Sequence, residues 1–108
     1  MILLALAALA QNPNGMFYGA ALKSCAVRAA YKLDDHVSAP GTVAHKAVFS
    51  CTSELSAVRS ALRTIIGQYA NPDTPGGQKA ISTHLGIITQ ATEKQLAAEI
   101  QRTRGTIR

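Results

Sequence analysis

The chain has no tryptophan, and aromatic residues fill only 5% of its 108 positions. A core built on large rings is therefore excluded. No stretch alternates polar and apolar residues for long, and β-branched runs are short, which argues against a half-buried sheet. Carboxylates are scarce: Asp34, Asp35, Glu54, Asp73, Glu93 and Glu99. Only Asp34 and Asp35 are neighbours, and in a turn such residues cap or meet solvent rather than catalyse. There is no P-loop and no G-x-G-x-x-G loop. Cysteine occurs twice, with no C-x-x-C and no H-x-x-x-H spacing. His45 and Cys51 fall on different sides of a helix, so no tetrahedral zinc set is offered. The three histidines are expected at surface or boundary positions. No nucleophile with a positioned base is legible either. The sequence therefore predicts a binding or structural protein with no cofactor and no metal; a cytosolic basic nucleic-acid-associated protein is the alternative, and an enzyme of unknown type comes third.

Long apolar runs are absent after residue 10. Residues 1–10, MILLALAALA, are wholly apolar. They are too short to span a bilayer as a helix, which needs about 20 residues. They suit the h-region of a secretory signal peptide, with Ala8 and Ala10 as the small residues before a cut at Gln11. No Lys or Arg precedes that run. Residues 11–108 then form a single helical domain, periplasmic or secreted. If the segment is not a signal, the chain is cytoplasmic.

What is present is alanine and helical spacing. Hydrophobic residues make up 47%, with alanine dominant. Alanine favours helix and lets helices approach closely. The governing stretch reads Ala44, Val48, Cys51, Leu55, Val58, Leu62, Ile65, Tyr69, in alternating steps of four and three. That is the seam of a long helix facing partners along its length. Ser38 or Thr42 caps its start, and Asn71–Gly77 stops it. A first helix covers about residues 16–33, with the ladder Tyr18, Leu22, Cys25, Ala29, Leu33. A third runs from about Gln78 to Arg104, with Ile81, Leu85, Ile88, Thr92 (or Ala91), Leu96 and Ile100 inward; Gly105 follows as its C-terminal stop. The predicted fold is all-α: an antiparallel three-helix bundle with a long central helix.

The ladders also set register. Cys25 with Cys51 and Tyr18 with Val58 are both centred on Ser38. Leu22 with Leu55, Ala29 with Val48, and Leu33 with Ala44 are centred within one residue of it. The cysteines therefore meet at one level of an antiparallel hairpin, where a disulfide can form. In a reducing compartment they would instead be two small core residues. A second turn centred near residue 73 or 74 would place Ile81 beside Ile66, Leu85 beside Leu62, Ile88 near Val58 and Leu96 near Cys51.

The net charge is +5. It suits an acidic protein partner, an anionic surface or nucleic acid, the last only in the cytosol. Arg59 and Arg63 share a helix face, and Arg102, Arg104 and Arg108 cluster at the C-terminus. These are the candidate contacts for such a partner, although no helix-turn-helix signature accompanies them. Ile65, Ile66 and Tyr69 lie beyond the reach of the first helix, and they are the candidate surface for a homodimer.

The order Cys25, Ala29, Leu33-Asp34-Asp35, Ser38, Val43-Ala44, Val48, Cys51, Glu54 resembles a pattern in small exported proteobacterial proteins with no established activity. It covers about a third of the chain. The resemblance implies export and a linked helical hairpin, and nothing catalytic. The missing basic residues before the apolar run depart from a normal exported precursor.

Overall fold

A computed structural model describes the backbone of residues 13–106 and the side chains of residues 19–105. The expected signal segment 1–10 lies outside the described residues. Among the described residues four helices follow one another: α1 (Pro13–Leu33), α2 (Pro40–Ser50), α3 (Thr52–Ile66) and α4 (Pro75–Thr106). No strand occurs among the described residues. The chain is all-α, as its composition predicts.

The central helix is not continuous. It divides at Cys51, whose backbone leaves the helical region at φ −88° and ψ 62°. The cause is local. The Cys51 N–H bonds to the Val48 carbonyl at 3.1 Å, three residues back. The Ala47 carbonyl, its regular partner, instead accepts the Ser50 hydroxyl at 2.7 Å. Serine back-bonding of this kind loosens the helical ladder. α3 then restarts with Leu55 N–H on the Cys51 carbonyl at 2.9 Å.

The core lies between α1, the two pieces α2 and α3, and α4. α1 packs on α2 and α3, α4 packs on the same two, and α1 meets α4 more sparingly. Buried residues are Leu22, Ala26 and Ala30 from α1, Val43 to Cys51 at helical spacing, Val58, Leu62 and Ile66, and Ile81, Leu96 and Ile100. The central seam is thus as expected as far as Leu62. The inner edge of α1 is rotated, with Ala26 and Ala30 buried and Leu33 exposed. Ala26 and Ala30 share one buried cluster with Ala44 and Ala47, and such small residues permit close helix approach.

Several boundaries differ from expectation, among them the start of α1 at Pro13 rather than about residue 16 and the end of α3 at Ile66 rather than about Tyr69. Ser38 is not the cap of α2; Ala39 holds that position without a side-chain bond, and Pro40 opens the helix. The Ser38 hydroxyl is held by Asp35 Oδ2 at 2.7 Å. α4 begins at Pro75 rather than Gln78, because Thr74 caps it: its Oγ1 accepts the Gly77 N–H at 3.1 Å, and proline suits the first helical position. At the other end the helix continues through Gly105.

The earlier start also changes register. His45–Glu93, Arg59–Gln78 and Arg63–Asp73 are paired across the fold. Each pair is centred on Gln68 or Tyr69, not on residue 73 or 74. The fold-back comes earlier because Asn71 and Pro72 run back along the first turn of α4. Gln78 Nε2 reaches the Pro72 carbonyl there at 2.8 Å.

Candidate functional site

Asp34 leaves α1 with its N–H still on the Ala30 carbonyl at 2.8 Å. Its Oδ1 accepts the His36 N–H at 2.9 Å. Arg104, near the end of α4, forks onto the same carboxylate with Nε 3.3 Å from Oδ2 and a second nitrogen on Oδ1. Both side chains are less than one-fifth exposed. The guanidinium, aided by the His36 amide, holds the Asp34 carboxyl below its usual range, and Asp34 in turn raises Arg104. Asp35 is also well below that range. Its main cause is the Ser38 N–H, followed by the Ser38 hydroxyl and the Val37 N–H.

Beside this pair, α1 and α4 leave a notch of about 150 Å³. Its floor is apolar: Val27, Ala30, Leu96 and Ile100. Tyr31, His36 and Glu99 stand on its rim with Asp34. Glu99 is half-buried and makes no ion pair among the described residues.

The two cysteines stand at disulfide distance, with sulfurs 2.06 Å and Cα atoms 6.1 Å apart. Their meeting point is the joint between α2 and α3. The Glu54 carboxylate lies within 4.8 Å of both sulfurs.

The candidate arginines do not form one patch. Arg59 and Arg63 lie by the start of α4, bonded to Gln78 and Asp73. Arg102 and Arg104 lie near its end, about 36 Å away at the helical rise. Arg102 is exposed, Arg104 is held by Asp34, and Arg108 lies outside the described residues. Of the apolar trio at the far end of α3, Ile66 is buried, Ile65 is half-buried and Tyr69 is exposed.

The histidines divide. His36 and His45 are exposed; His45 bonds Glu93 at 2.8 Å, and its ring lies 4.7 Å from that of Phe49. His84 corrects the surface expectation. It is 7% exposed, and its Nδ1 has no hydrogen-bond partner among the described residues. It sits one helical step after Ile81, a spacing that could have flagged it.

The Asp34–Arg104 pair and the half-buried place of Glu99 on the notch were not legible in the sequence. No local pattern ties residues so far apart, and Glu99 carries no motif. No family model, curated protein or solved structure matches the chain. Among the described residues no helix is long and apolar enough to cross a membrane.

Proposed function

We propose that the chain is a small exported helical domain that acts by binding, with Cys25 and Cys51 joined as a disulfide. In this reading α2 and α3 are one bent arm of an antiparallel three-part bundle. The bond staples α1 to the bend. The observation that carries the reading is the cysteine pair at disulfide distance, since such bonds persist in oxidising compartments. The apolar segment 1–10 supports export. The exposed Arg102 remains as a contact for an acidic protein or anionic surface. A second copy of the chain would dock on Tyr69 and the half-buried Ile65.

Mass spectrometry of the native protein tests the reading. The expected species starts at Gln11 and gains two hydrogens on reduction. An intact Met1 with two free thiols would overturn it and favour a cytosolic role on nucleic acid.

A further inference from the structure

We propose that the notch between α1 and α4 binds a small primary amine whose apolar body is about one aromatic ring in size. The site lies apart from the cysteine pair, so the inference stands whether or not the chain is exported.

Size comes first. The notch holds about 150 Å³, and an apolar cavity of about that volume accepts benzene. Its floor of Val27, Ala30, Leu96 and Ile100 offers such a body only dispersion and burial. Charge comes second. Asp34 is matched by Arg104 and is no free anion. Glu99 carries the remaining carboxylate on the rim, half-buried and without an ion pair among the described residues. The notch therefore presents one uncompensated negative charge above an apolar floor. That combination selects a monocation with an apolar tail and disfavours carboxylates and phosphates.

A metal ion is a poor fit. Calcium takes 6–8 oxygen ligands, and the side chains here offer too few: Glu99, the Asp34 carboxylate already held by arginine, and the hydroxyls of Tyr31 and Thr103. An ammonium needs fewer partners. Glu99 supplies a charge-assisted hydrogen bond, and Tyr31 adds a ring on the same rim for a cation–π contact.

Isotope-labelled full chain is titrated at neutral pH with benzylamine, benzyl alcohol and benzoate, following backbone amide signals. Benzylamine is expected to saturate with a dissociation constant of about millimolar, since so small a ligand gains little in total. Its shifts should centre on Ala30, Leu96, Glu99 and Ile100. Benzyl alcohol should bind about tenfold more weakly, the scale of one charged hydrogen bond, and benzoate not at all. In Glu99→Gln the amine should fall to the level of the alcohol, which itself should not change. Equal binding of amine and alcohol to the natural chain overturns the proposal, whatever the variant does to the fold. So does an amine that fails to saturate, or one whose preference survives Glu99→Gln.

Discussion

At Gly77 a single hydrogen atom decides whether the last turn can close. A Cβ placed there would lie 2.2 Å from the Asn71 carbonyl oxygen and 2.8 Å from Pro72 Cα. Both obstacles are backbone, so neither can swing aside. Gly77→Ala is expected to lose about 1–3 kcal/mol, the usual cost of overpacking, read as a shift in urea midpoint with an unchanged slope. An unchanged midpoint would mean that the loop moves freely off α4. His36 poses the opposite constraint, with φ 62° in the left-handed region. Histidine tolerates that region better than most side chains, and a β-branched residue does not. His36→Val should therefore destabilise by about 1–2 kcal/mol, whereas His36→Gly should not. Neither residue announces its role in the sequence. Gly77 reads as one more breaker in a Pro-Gly-Gly string, and nothing in Asp-Asp-His marks the backbone of His36.

At the scale of helices, side-chain spacing was legible and backbone continuity was not. Ala44, Val48, Cys51, Val58 and Leu62 repeat with helical period and are buried in that order. The break at Cys51 leaves the period almost intact, because the chain resumes helix one residue later. Spacing therefore could not reveal it; only the Ser50 hydroxyl competing for Ala47 does. Leu62 is 1% exposed, so Leu62→Ala should cost about 2–5 kcal/mol in chemical denaturation. A loss below about 0.5 kcal/mol, typical of surface positions, would contradict its burial. The proposed staple belongs to this scale too. Cys25 and Cys51 are 26 residues apart, and closing such a loop stabilises by about 3 kcal/mol in the chain-entropy account. Reductant should lower the melting temperature of the natural chain and leave a Cys25→Ala/Cys51→Ala variant unmoved. Equal melting of the natural chain with and without reductant would remove the staple.

Over the whole molecule, α4 sets the long axis. The extents are 51 × 26 × 21 Å, and a 32-residue helix accounts for about 48 Å of that length. The pairs from Arg63–Asp73, just ahead of it, to Asp34–Arg104, near its end, mark how the other helices lie against it. Their register depended on where the chain turns back, which composition alone did not disclose. The last pair joins residues 70 positions apart at the rim of the notch, so its carboxylate couples the candidate site to the fold. Asp34 and its neighbour Asp35 both titrate below the ordinary carboxylate value in the folded chain. The unfolded chain, with carboxyls near pH 4, then binds more protons in acid than the folded one. Stability from these two groups is thus complete above about pH 5 and lost as the pH falls through 4 and below. The urea midpoint should be flat on the neutral side of that point and fall on the acid side. Replacing both residues, Asp34→Asn with Asp35→Asn, should lower the neutral midpoint and flatten the acid limb. An acid limb equally steep in the double variant would assign acid sensitivity to other groups and leave the Asp34–Arg104 clasp without a role in holding α1 to α4.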